Sequence, residues 1–137
     1  MNDKREPRYD WFFDKARGDL GENLFLKEIL EKAEVKTDYQ WQSTGNLFIE
    51  IECWRDGKMQ PSGIVTTESK YWVSICPVGD LSPVIFSFPT NLVRKACIGK
   101  SVVEMNKGAN PSKGYLVKIT EIMCLVNEAR ENNRKAS

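Results

Sequence analysis

Histidine is absent from all 137 residues. That absence removes the commonest general base, the commonest zinc ligand and every Ser-His or Cys-His nucleophile pairing. Any catalysis must therefore rest on carboxylates, lysine and metal. Cysteine is sparse as well: Cys53, Cys76, Cys97 and Cys124 stand singly, without the paired spacing of a zinc or redox motif. With no secretory leader in view, they are expected to be reduced, buried thiols of a cytosolic protein. No apolar run approaches the roughly 18 residues that a membrane span needs. An excess of one charge is also missing, because 20 Lys and Arg stand against 19 Asp and Glu. A nucleic-acid contact would need a local basic patch rather than bulk charge.

What is present suits one domain with one core, since 41% of the residues are hydrophobic. Polar, charged ends at about 1–8 and 130–137 are expected to fray, the second being either a tail or the end of a helix. Between Gly18 and Glu34, Leu26, Ile29, Leu30 and Ala33 recur at steps of three and four, predicting a helix with one apolar stripe. Glu22 lies one turn before Leu26 on that stripe. Val35 to Trp41 alternates as a strand does, with Lys36, Asp38 and Gln40 on one face. A turn at Ser43-Thr44-Gly45-Asn46 leads into a second strand, Leu47 to Trp54, whose Glu50 and Glu52 share a face with Phe48 and Trp54. Paired as an antiparallel hairpin, the two strands would bring Asp38 beside Glu50.

Downstream, Arg55 to Ser69 is rich in turn residues, and Thr66 or Thr67 with Glu68 suggests the cap of a short helix. Strands are expected at Tyr71 to Ile75, Val84 to Phe88 and Tyr115 to Ile119. A helix is expected over Leu92 to Ala96, and a last one from Glu121, capped by Thr120. This order predicts an α+β or α/β sandwich on a mixed sheet.

Carboxylates at core-facing positions are costly unless a cation pairs them. Magnesium and manganese prefer oxygen ligands, and in phosphodiester hydrolysis they polarise the phosphoryl oxygen and supply hydroxide. Glu22, Asp38, Glu50 and Glu52 thus point to divalent-metal nuclease chemistry, which needs no histidine. The plainer reading is an edge strand whose Glu50 and Glu52 face solvent and pair with Lys36 or Lys58.

Glu22 in GDLGENLFLKEIL, Asp38 in EVKTDYQW and Glu50 in GNLFIEIE resemble the PD-(D/E)XK nuclease superfamily, whose core is a helix carrying a glutamate, then strands carrying an aspartate and a glutamate-x-lysine. The segments TGNLFIEIE, PSGIVTTESKYW and NPSKGYLVKI are similar to small phage-encoded members, and the likeness runs from Gly18 to about Ile122. The resemblance implies a restriction-endonuclease-like core, a mixed central β-sheet flanked by helices. It also implies a metal-dependent endonuclease acting on DNA, with Mg2+ or Mn2+ held by Asp38, Glu50 and the Ile51 carbonyl, and Glu22 orienting a metal-bound water. Junction resolvases among the small members extend this to branched DNA and a homodimer, and a phage origin would place it in the host cytoplasm. Glu52 stands where the motif has lysine, so Lys70, or in reserve Lys36, is expected to stabilise the attacking hydroxide. Without such a lysine the alternative is a catalytically inactive nucleic-acid-binding protein on the same scaffold.

Phosphate contacts are expected from Ser62, Gly63, Thr66 and Thr67, a small-residue turn offering backbone N–H groups. Lys36, Arg94, Lys95 and Lys100, and separately Lys107, Lys113 and Lys118, are basic groups that could track a nucleic-acid backbone or form a solvated face. Trp41, Trp54, Tyr71 and Trp72 are read as base-stacking or core aromatics.

Overall fold

The computed structural model describes residues 11–106, 108 and 110–136. The expected fray at 1–8 and the basic Lys107 lie outside the described residues. The chain divides into two compact units, Met1–Lys32 and Ala33–Ser137. In the first, helix α1 (Trp11–Asn23) continues as a wider π-type winding over Leu24–Leu30. The helix therefore starts well before Gly18 and gives way before Glu34, which opens the first strand. Glu22 sits near the end of α1.

The second unit runs β1 (Glu34–Thr37), α2 (Trp41–Thr44), β2 (Asn46–Arg55), β3 (Lys58–Pro61), a 3-10 turn (Gly63–Val65), β4 (Tyr71–Val78), β5 (Leu81–Pro89), α3 (Thr90–Cys97), β6 (Val103–Met105), β7 (Ser112–Lys118) and α4 (Ile119–Ala136). Among the described residues these strands form two sheets, β1-β4-β5 and β3-β2-β7-β6. The class is α+β, as expected. β1 lies parallel to β4, with Glu34 opposite Trp72 and Thr37 opposite Ile75. The other pairings are antiparallel.

The expected hairpin between residues 35–41 and 47–54 does not form. The first strand stops at Thr37 because the Asp38 carboxylate accepts the N–H groups of Gln40 and Trp41, both at 3.1 Å. This side-chain cap turns the chain into one helical turn, the usual role of aspartate before a helix. Gly45, at φ 70°, ends that turn and releases the chain into β2. β2 instead pairs with β3 and β7. β3 was not expected, although Asp56-Gly57 between alternating residues is the hairpin turn that favours two left-handed residues. Both adopt them, at φ 51° and 77°. No helix follows Thr66 and Thr67: the Thr67 N–H returns to the Gly63 carbonyl at 2.9 Å, closing a turn. α4 begins at Ile119, which places Thr120 inside its first turn rather than before it.

The core gathers Leu47 and Ile49 from β2, Trp72 and Cys76 from β4, Phe88, Val93, Val117 and Ile122. β4 is the middle strand of its sheet, so consecutive Trp72, Val73 and Ser74 are all buried, as a strand covered on both faces requires. α3 turns Thr90, Val93, Ala96 and Cys97 inward at helical spacing. Each large apolar side chain so buried contributes about 1.5–3 kcal/mol.

Gly63 marks a close approach. Its φ is 57°, and a Cβ there would stand 2.3 Å from the Glu50 carbonyl oxygen, whereas a Cβ on Gly57 would meet nothing within 4 Å. Gly57→Ala should cost about 1 kcal/mol of stability through backbone strain alone, and Gly63→Ala at least about 2 kcal/mol more. Urea unfolding of the two variants checks the difference.

Candidate functional site

The site forms where the two sheets meet. The Asp38 N–H donates to the Ile75 carbonyl at 2.9 Å, extending the β1–β4 pairing by one residue. Its carboxylate then crosses to the other sheet, where Oδ2 accepts the Phe48 N–H at 2.6 Å. That amide is open because β3 pairs only with Glu52 to Arg55, leaving the first half of β2 without a neighbour on that edge. Beside this joint lies a cleft of about 300 Å³, lined by Lys36, Asp38, Tyr39, Gln40, Phe48, Glu50, Ser74, Asn106 and Ser112, among others.

Alternation places Glu34 and Lys36 on the same side of β1, and this is the more covered side, while Val35 is 50% exposed. Lys36 Nζ lies 2.9 Å from Glu34 Oε1 and 3.7 Å from Glu50 Oε1. The Ser62 hydroxyl donates to Glu50 Oε1 at 2.6 Å, and the Thr67 hydroxyl donates to Glu34 Oε2 at 3.3 Å. One half-buried ammonium is thus held between two carboxylates, each oriented by a hydroxyl.

Asp38 and Glu50 do line one cleft, through a strand end and a helical turn rather than a hairpin. Glu52 does not. The register slips between Glu50 and Glu52, a bulge at Ile51 that breaks the alternation expected to keep both acids on one face. Glu52 faces Lys113 across the strand pair, 3.9 Å away. The Ile51 carbonyl accepts the Ser62 N–H at 2.8 Å. Lys70 is exposed and outside the cleft lining; its carbonyl accepts the Thr90 N–H at 2.9 Å. Lys36, the reserve lysine, is the one that lines the cleft.

The loop from Ser62 to Thr67 uses its amides internally. The N–H groups of Ser62, Val65, Thr66 and Thr67 all donate to carbonyls of the chain, so these four are not offered to a phosphate. Arg94 spends its guanidinium on the same loop, donating to the Ile64 carbonyl at 3.3 Å and the Thr67 carbonyl at 2.8 Å. Lys95 and Lys118 are exposed, and Lys100 pairs with Glu121 at 2.6 Å. Trp72 is core, Trp41 donates its indole N–H to the Pro77 carbonyl at 2.7 Å, and Trp54 is 44% exposed.

Glu34, Ser74, Asn106 and Ser112 were not foreseen. Glu34 was legible, two residues before Lys36 on the same strand face. Asn106, at φ 54°, occupies a left-handed position that asparagine tolerates better than most residues. Nothing in the local pattern marks Ser74 or Ser112.

A carboxylate offers about four lone-pair positions. Asp38 uses three on backbone N–H groups, and Glu50 one on Ser62. Among the described residues no three acid or cysteine side chains gather into a metal cage. The lone pairs left on Asp38 and Glu50 are carboxylate oxygens, the ligand type that hard cations such as Mg2+ prefer.

No protein-family model matches this sequence, and comparison with curated proteins and with solved structures returns no match. Among the described residues no helix is long and apolar enough to cross a membrane.

Two thiols, Cys76 and Cys97, are buried in the core. Burial pushes Cys76 up to about 11, and the charge of Asp38 adds to the rise; burial pushes Cys97 up to about 11 against the opposing pull of Lys100. Cys124 is exposed and Cys53 half-buried. At pH 8 a disulfide exchange reagent should modify Cys124 at once, Cys53 more slowly, and Cys76 and Cys97 only on unfolding. Between the ordinary 9.0 and about 11 the folded chain holds protons that the unfolded chain releases. The stability these thiols lend is therefore full below pH 9 and lost as pH rises through about 11, a loss that urea midpoints across this range should show. Asp38→Asn places an amide N–H₂ among three N–H donors and should cost about 1–3 kcal/mol in the same measurement.

Proposed function

We propose that this chain is a metal-dependent endonuclease that hydrolyses DNA phosphodiester bonds in the cleft bearing Asp38, Glu50 and Lys36, on a core of the restriction-endonuclease kind. The observation that carries the reading is an ammonium 3.7 Å from a carboxylate, Lys36 beside Glu50, in a cleft that Asp38 also lines. The acid pair of the PD-(D/E)XK resemblance lies there, and Lys36 supplies from β1 the charge that Glu52 denies the motif position.

Asp38 and Glu50 would hold Mg2+ or Mn2+, which when bound supplies Lewis acidity to a phosphoryl oxygen and activates water. The chain's own contribution is preorganised charge. Glu34 and Glu50 fix the Lys36 ammonium where it can offset negative charge growing on the phosphoryl group, with no reorganisation at the moment of reaction. Asp38, pinned by three backbone N–H groups, keeps its remaining lone pair in a set direction.

A second reading has its own support. Three N–H groups on Asp38, and Lys36 between Glu34 and Glu50, compensate the acids without any further cation. A catalytically inactive nucleic-acid-binding protein would show the same arrangement.

The test is cleavage of labelled single-stranded DNA, duplex, flap, four-way junction and RNA with Mn2+ or Mg2+. Cleavage should vanish with EDTA and fall by about 100-fold or more in Glu50→Gln and Lys36→Met, with both variants still folded. Glu50 is a better probe than Asp38, whose replacement also loosens the fold. Absence of cleavage with retained, salt-dependent DNA binding would support the second reading, and absence of both would end each of them.

A further inference from the structure

We infer that the loop of residues 62–67, anchored by Arg94, is a positioning clamp for the Lys36–Glu50 pair. The inference rests on the reading of the cleft as a site of phosphodiester hydrolysis. Four contacts make a chain whose two ends lie on that one loop: Ser62 Oγ to Glu50 at 2.6 Å, Glu50 to Lys36 at 3.7 Å, Lys36 to Glu34 at 2.9 Å, and Glu34 to Thr67 Oγ1 at 3.3 Å. Glutamate and lysine are long and flexible, and left alone they sample many rotamers. Hydroxyls on a stiff loop remove that freedom. The Ser62 contact falls in the short range of hydrogen bonds to an ionised oxygen, which are about twice as strong as neutral ones.

The loop is stiff for reasons visible in its own bonds. Ser62 N–H is held by the Ile51 carbonyl and Thr67 N–H by the Gly63 carbonyl. Gly63 packs so closely on the Glu50 backbone that a Cβ would stand 2.3 Å from its carbonyl oxygen. Arg94 reaches from α3 to the Ile64 and Thr67 carbonyls. Arg94 is therefore occupied as the loop's anchor, and Ser62 is the positioning residue in contact with the pair. Neither touches the reacting atoms, so both should act on the rate of the chemical step rather than on DNA affinity.

The experiment compares Ser62→Ala, Ser62→Thr, Arg94→Met and the Ser62→Ala/Arg94→Met double variant in the full chain. It measures single-turnover cleavage with saturating Mn2+, DNA affinity, thermal midpoint, and the Lys36 ammonium ¹⁵Nζ resonance of the metal-free protein. Ser62→Ala and Arg94→Met should each slow cleavage about 10- to 100-fold while DNA affinity stays within about twofold. Ser62→Thr should restore most of the rate, and the double variant should fall short of the product of the single losses, because both act on one chain of contacts. The Lys36 resonance should move toward that of exposed lysines in Ser62→Ala. Wild-type rates in both single variants, an unmoved resonance, or losses that follow DNA affinity or unfolding and that threonine does not restore would overturn the clamp. A wild-type protein that cleaves nothing overturns the underlying reading instead, and is told apart by the wild-type lane itself.

Discussion

The carboxylate of Asp38 is the joint on which the rest of the site hangs. It caps the turn that ends β1, and it holds the amide of Phe48 on β2 at 2.6 Å. Through those bonds it fixes both the direction in which the chain leaves one sheet and the point at which it meets the other. Hydrogen bonds to an ionised acceptor are stronger than neutral ones, and three backbone dipoles converge here on a single charge. An acid that looks anomalous in a strand pattern is therefore electrostatically satisfied by the backbone. Its charge also reaches Cys76, where it adds to the effect of burial.

A second constraint is the inversion of β1. Its charged residues take the covered side and Val35 the exposed side, so the strand delivers Lys36 to the cleft and sets Glu34 against its ammonium. With Glu50 opposite, the cleft holds alternating charges close enough to orient one another, yet partly wet. Such a set is arranged in advance of any ligand, the condition under which fixed charge is most effective on a developing anion. The bulge at Ile51 limits the set by sending Glu52 toward Lys113.

Elements with a clear period were legible. β2, β4, β5, β7 and α3 fall at the expected places, with ends shifted by a few residues. Partners were less legible, because alternation says which side chains share a face and nothing about which strand lies alongside. The hairpin expectation fails on one residue: alternation makes Asp38 a strand position, but its carboxylate caps the turn that follows. The three-residue β6 carries too short a pattern to see, whereas β3 was announced by Asp56-Gly57. The neighbourhood of Asp38 and Glu50 was foreseen by the wrong route. Lys70 follows from the resemblance, whereas Lys36, on the strand face of Asp38, is the one of the two that lines the cleft. The loss of Glu52 came from a bulge that period-two reasoning cannot contain.

The central claim is that Asp38, Glu50 and Lys36 make a cation-assisted site for a phosphodiester. Its most direct test is an anomalous difference map from crystals of the wild-type protein soaked in Mn2+. The account predicts a peak in coordination range of both Asp38 and Glu50, with Lys36 still in the cleft. Manganese bound only elsewhere, or Lys36 and Glu50 paired as before with no peak beside them, would contradict it.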